Sequence, residues 1–311
     1  MTRSGATGVA RLEAATRTLR ALDYEHGGGA CASAVLAQLS TGRRMLDEVG
    51  AASASASGDV AVRLHVALAD LHNLAGWISF DLGRAEAAQA HFRAALDLAE
   101  GAGNHSLAAN VHYRLGRVHL HHDRLDDALR EFDASGHEAA GTGSDLELAL
   151  VDANRAWVHA KRGEAAEAER LLARAQGGFA DPDRAPDWAR FFTSADLTGM
   201  TGTVHSTLAE AGDVRHVEKA VPALNEAIDA YGEDMARSRA FSMIELAVST
   251  LLAGDLDAGV EAGCTAVSHA VPIRSARTVD RMRPLHRAAL GRPKHDGARE
   301  LVLRIEAFSA N

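Results

Sequence analysis

The chain has 311 residues, 47% hydrophobic and only 5% aromatic, with six prolines and a formal net charge of −9. That apolar content excludes a disordered chain, and the acidic balance excludes non-specific nucleic-acid binding by the whole molecule, because phosphate contact needs clustered positive charge. No apolar run approaches the roughly 20 residues that cross a bilayer, and the first ten residues lack the apolar stretch of a secretory signal, so a cytoplasmic chain without a membrane partner is expected.

Two helices, near 8–23 and 30–50, flank His26-Gly-Gly-Gly29. The Ser/Ala/Gly segment 51–58 reads as a flexible connector. From His65 to Leu82 apolar residues recur at helical spacing, Leu-Gly-Arg (82–84) breaks the pattern, and Ala85 to Ala99 resumes it. The unit then repeats. Gly76, Gly116 and Ala156 are spaced by 40 residues, and so are the turn residues Gly83, Asp123 and Gly163. Ala88, Ala128 and Ala168 keep the interval, followed by Phe92, Phe132 and Leu172. Self-similarity at a fixed period is the mark of a stacked array, in which small residues let helices approach and larger ones fill the wedge between hairpins. Copies two and three run roughly 105–140 and 145–178. The turn formers of 180–186 interrupt the array, and weaker copies follow at about 188–231, turning at Gly212, and 234–270, turning at Gly254. Two helices near 274–290 and 296–309 end it.

The expected fold is all-α: a right-handed superhelical solenoid of helical hairpins, with an N-terminal cap and connector (1–58), repeats (59–270) and C-terminal capping helices (271–311). Cys31 and Cys264 lie far apart and read as small buried hydrophobes, not a metal knuckle or disulfide framework.

The columns resemble the tetratricopeptide repeat over roughly residues 65–270, with a small residue at its eighth position, alanine at its twentieth and an aromatic at its twenty-fourth. The usual first-helix Trp and Tyr are replaced by His72, His112 or Asp152, and by Ser79, His119 or His159. The interval is 40 residues where the family has 34, which calls for longer helices or loops. More narrowly, Leu22-Asp-Tyr-Glu-His-Gly-Gly-Gly-Ala30, Trp188-Ala-Arg-Phe-Phe192, Asp196-Leu-Thr-Gly-Met200 and Arg237-Ser-Arg-Ala-Phe241 are similar to the helical-repeat half of actinomycete helix-turn-helix transcriptional regulators. The chain begins just before the shared region, so the resemblance implies a sensor or interaction module without the DNA-binding domain.

In the tetratricopeptide family the first helix of each repeat lines a concave groove. Carried onto this chain, its positions give Asn73 and Trp77 in the first copy, Tyr113, Arg117 and His121 in the second, and Trp157 in the third. Trp77, Arg117 and Trp157 fall at one groove level. Two of the chain's three tryptophans there suit an apolar, aromatic or cationic ligand, with Arg117 as a cation–π partner; packing of both tryptophans into the core is the alternative.

Sixteen histidines are present, and several share columns. Imidazoles on adjacent helices, whose axes lie about 8–10 Å apart, would bracket one metal ion. His72 and His112 are the best such pair, with Asp152 joining if the array curls tightly, and zinc, copper or iron are the candidates. Recurrence at the repeat period favours the other reading, in which copied histidines satisfy buried polar contacts. His26-Gly-Gly-Gly29 mimics an oxyanion loop, yet no Gly-x-Ser-x-Gly supplies a nucleophile, and neither a phosphate-cradling Gly-x-x-x-x-Gly-Lys nor a His-Glu-x-x-His helix is present. Between Arg274 and Lys294 seven cations accompany one acid, Asp280. The solvated outer face of a terminal hairpin is the expected role, with an anionic partner or a second copy as the alternative.

These observations predict a non-catalytic regulatory or scaffold module that binds a peptide or small molecule, with a partner protein or a homodimer to receive the signal. Direct nucleic-acid contact and a required cofactor are not expected. The alternative is a metal-dependent biosynthetic enzyme using histidines inside the solenoid.

Overall fold

The computed structural model describes residues 2–51, 58–180, 185–186, 188–273 and 275–310. Most of the predicted connector (52–57) and of the interrupting turn (181–184) lie outside the described residues, as does Arg274.

Fourteen α-helices are present among the described residues, arranged as consecutive hairpins. They are α1 (Thr2–His26), α2 (Ala32–Ala51), α3 (Gly58–Asp81), α4 (Ala85–Gly101), α5 (His105–His121), α6 (Leu125–Ala140), α7 (Asp145–Lys161) and α8 (Ala165–Gly177). After the interruption come α9 (Ser194–Glu210), α10 (Val217–Ala230), α11 (Ala236–Ala253), α12 (Leu256–Ala270), α13 (Ala276–Leu290) and α14 (Asp296–Ser309). The period of 40 is met by helix length, seventeen residues in both α5 and α7, joined by short turns.

The turn column has a backbone reason. Gly83, Asp123 and Gly163 all stand in the left-handed region, at φ 73°, 55° and 74°. Glycine enters it without a Cβ clash, and aspartate is among the few other residues that tolerate it. The small-residue column has a packing reason. A Cβ built on Gly76 would lie 2.7 Å from the Phe92 ring, so α3 and α4 meet across a glycine and an aromatic. Ala88, Ala128 and Ala168 are all buried, as are Phe92, Phe132 and Leu172.

The helices cluster into two compact units, Met1–Val118 with Asp133–Gly143, and His119–Phe132 with Ser144–Asn311. In the first, α1 and α2 pack on α3, and Leu12, Leu39, Leu64, Leu68, Leu71, Leu74 and Ile78 form one core. After α1 ends at His26, Gly27 and the short 3-10 turn Gly28–Ala30 lead into α2. Gly27 takes φ 81°, and Gly28 sits so close to Ile78 that an added Cβ would be 3.0 Å from its side chain.

In the second unit, α7 packs on α9, α9 on α11 and α11 on α13, while each also holds its own hairpin partner. The first helices thus form one layer. Ile244, Val248, Leu251, Met282, Leu285, Leu301 and Ile305 build the core at the C-terminal end. The fourth copy starts later than its composition suggests, because Trp188–Phe191 form a turn and α9 begins at Ser194. The cause is a capping box: Thr193 Oγ1 accepts from the Asp196 N–H, and the Asp196 carboxylate accepts from the Thr193 N–H.

Candidate functional site

In the first unit, the predicted groove residues are tied to one another. Asn73 donates its side-chain amide to the Asn110 carbonyl oxygen, and the Arg114 guanidinium donates to the Asn73 backbone carbonyl at 3.0 Å. The same Arg114 lies over the Trp77 ring at 5.0 Å, with Phe80 edge-on to that ring at 5.7 Å. Arg117 Nη1 donates to Tyr113 Oη at 3.4 Å. Asn73 and Tyr113 are buried, and Trp77 and Arg117 are half-buried.

Of the candidate metal ligands, His72 Nδ1 lies 3.1 Å from His91 Nδ1, across the α3–α4 hairpin. Burial first, then His91 and Arg43, holds the His72 imidazole down at about 4. His112, half-buried, sits further along the first unit, on α5. Asp152 belongs to the second unit, held by Arg174 at 2.8 Å and Arg155 at 3.6 Å.

The second unit presents a pocket on its layer of first helices, enclosing about 490 Å³, within the range of roughly 300–1,000 Å³ that small-molecule sites occupy. His121 from the end of α5, Trp157 and Lys161 from α7, Thr207 and Glu210 from α9, and Glu245 from α11 all line it. Asp280, Arg281, Arg283, Pro284 and Arg287 of α13 complete the wall. Pro284 has no N–H, so the Asp280 carbonyl four residues earlier loses its helical donor at this wall.

Arg281 organises the lining. Its guanidinium stacks on Trp157 at 4.1 Å and on Phe241 at 5.0 Å, and its Nη1 donates to Glu245 Oε1 at 3.0 Å. Trp157 Nε1 donates to Thr207 Oγ1 at 3.1 Å, which fixes the indole edge. Glu245, a lining residue, gives its Oε1 to Arg281, while its Oε2 is fully buried and accepts no hydrogen bond. His121 Nε2 contacts Asp280 Oδ2. Burial pushes this imidazole down to about 4 despite the opposing pull of Asp280.

Glu210 is displaced the other way, from its ordinary 4.5 to about 7, by burial first and by the neighbouring Glu245 second, with Arg287 and Lys161 opposing. A carboxyl whose folded value is raised stabilises the fold fully below its unfolded value, and that contribution is lost as pH climbs through the folded value. Glu210→Gln is therefore expected to match the wild type near pH 4.5 and to exceed it at pH 8 by on the order of 2–3 kcal/mol. Urea denaturation of both proteins at the two pH values measures the difference, in which the opposite trend from the buried histidines cancels.

Glu210, Glu245 and Arg281 escaped the sequence reading. Glu245 had a usable signal, since it is the lone acid inside the apolar run Met243–Val248. Arg281 was visible only as part of a basic segment expected on a solvated outer face. The structure corrects this for two of the cations: Arg277 is buried, and Arg281 is only 13% exposed because the distant Glu245 receives it, while Arg283, Arg287 and Lys294 are exposed. Arg287 pairs with Glu210 at 3.4 Å, as Arg281 does with Glu245.

Consecutive helical hairpins with left-handed turn residues make an all-α helical-repeat array consistent with the tetratricopeptide type. Residues 67–135 match the tetratricopeptide repeat family model, and such a repeat implies protein or peptide partners in general. Comparison with curated proteins finds no match. Among the described residues no helix is long and apolar enough to cross a membrane.

Proposed function

We propose that the chain is a non-catalytic regulatory or scaffold module whose second unit binds a peptide, taking one cationic side chain of that peptide into the pocket beside Trp157. The observation that carries this reading is Glu245 Oε2, a buried carboxylate oxygen in the pocket wall with no donor. Once the Glu245 side chain turns this oxygen toward the pocket, an entering guanidinium or ammonium supplies that donor, and charge-assisted hydrogen bonds of this kind are about twice as strong as neutral ones. Glu210 adds a second acceptor, and Trp157 and His121 add flat surface against the aliphatic stem. In the first unit, Asn73 bonds Asn110 between α3 and α5 and Arg117 bonds Tyr113 within α5, and a ligand is left to the half-buried Trp77. The regulatory role rests on the resemblance to the repeat half of helix-turn-helix regulators; the match to the tetratricopeptide model supports a peptide over a metabolite.

Selection of random peptides displayed on phage against the immobilised full chain tests this. Peptides enriched by the wild type are expected to carry Arg or Lys, and to lose affinity by about tenfold or more with Glu245→Gln, the loss of one charge-assisted contact. Circular dichroism confirms that the variant is folded. Enrichment of acidic or purely apolar peptides, indifferent to Glu245→Gln, would count against the proposal.

A further inference from the structure

Seven residues before its turn, each hairpin of the array places a small side chain: Gly76, Gly116 and Ala156 in the first three copies, and Ala247 in the fifth, seven before Gly254. The fourth copy breaks the column. Seven residues before Gly212 stands His205, and it is buried. The same copy breaks the spacing after the turn. In the other copies the next small residue follows the turn by five, at Ala88, Ala128, Ala168 and Gly259; in the fourth, buried Ala220 follows Gly212 by eight. The three extra residues are the short 3-10 turn Val214–His216. It brings a second, buried imidazole onto the first.

His205 Nδ1 and His216 Nδ1 face each other at 2.9 Å. Glu169 approaches from α8, the second helix of the preceding hairpin, and one donor atom from each of the three residues lies within 4.8 Å of the others. Copying of an ancestral hairpin explains histidines that recur at the repeat period; it does not explain two that occur where the period fails. A hairpin that replaces its small residue by an imidazole, and inserts a turn to carry another against it, has been built around that pair.

We propose that Glu169, His205 and His216 bind a divalent transition-metal ion of the zinc class, which pins α8 to the fourth hairpin. Two imidazoles and a carboxylate are the donors such ions take. Tetrahedral zinc with Zn–N of about 2.0–2.1 Å sets its nitrogens about 3.3 Å apart, so the pair needs to open by only about 0.4 Å. On the far side of His216, Nε2 points to Asp213 Oδ2 at 3.7 Å, the kind of carboxylate that orients a ligating imidazole. Lys219 Nζ, 2.6 Å from Glu169 Oε1, is the cation the metal displaces.

Cobalt(II), whose visible absorption reports N/O coordination, tests the site on the full chain stripped with a chelator. The expected result is a saturable band at about one equivalent, reversed by zinc, together with a rise in the thermal midpoint on adding zinc. His216→Ala should abolish the band, and Glu169→Gln, which leaves the buried imidazoles in place, should weaken cobalt binding by about tenfold or more. His72→Ala, which removes the other facing imidazole pair, should leave the band intact. Absence of a stoichiometric band in the wild type overturns the proposal. So does a band that survives Glu169→Gln at full affinity, or one that His72→Ala abolishes.

Discussion

Arg281→Ala is expected to destabilise the second unit by about 3–5 kcal/mol, the cost of leaving one member of a buried ion pair without its partner. Arg281 is 13% exposed and Glu245 5%, so water does little to relieve the stranded carboxylate. The same substitution removes the guanidinium from the faces of Trp157 and Phe241. Part of the loss is electrostatic and part is packing, and a double-mutant cycle separates them. Adding Glu245→Gln to Arg281→Ala discharges the carboxylate and should recover the larger share. Arg281→Lys keeps the charge but gives up the flat stack, and should recover the electrostatic share while losing the contacts with Trp157 and Phe241. Urea denaturation of the wild type, Arg281→Ala, Glu245→Gln and the double variant gives the cycle, with Arg281→Lys measured beside them; a loss for Arg281→Ala below about 1 kcal/mol would mean that the pair behaves as an exposed surface bridge.

A loss of similar size is expected in the first unit from Phe92→Ala, about 3–5 kcal/mol for emptying a fully buried aromatic site. Gly76→Ala, the reverse insult at the same contact, should cost about 1–3 kcal/mol, because the new methyl lands 2.7 Å from the ring and the helices must part. The two should not add. With the ring gone, the methyl of Gly76→Ala enters vacated space, so the double variant is expected to be less destabilised than the sum of the singles, as contacting residues generally are. Strict additivity, measured by thermal or urea denaturation, would show that Gly76 is small for a reason other than Phe92.

The hairpins were legible because their determinants are local. A turn residue must enter the left-handed region, as Gly83, Asp123 and Gly163 do, and a helix that meets its neighbour over Phe92 must be small opposite it. Both requirements recur every 40 residues and need no knowledge of the partner. The start of α9 was not legible from apolar spacing, because Trp188–Phe192 look helical in composition while the cap at Thr193 decides the boundary.

The candidate site was half legible for the same reason. First-helix register is local and points to His121 and Trp157. The opposite wall comes from α13, more than a hundred residues after Trp157, and the basic run that forms it finds its acids at Glu210 and Glu245 only once the chain is folded. Charge counted along the sequence made that run look solvent-facing. His205 and His216 are not legible from the period, because they stand where the repetition stops.

The most direct measurement of the central claim is hydrogen–deuterium exchange of the full chain, with and without an Arg- or Lys-bearing peptide taken from the selection. Slowed exchange in the pocket-lining stretches of α7, α9, α11 and α13, around Lys161, Glu210, Glu245 and Arg281, is the predicted result. Protection that leaves these four stretches unchanged while appearing elsewhere, or no protection at a saturating concentration, would contradict the assignment of this pocket as the peptide site.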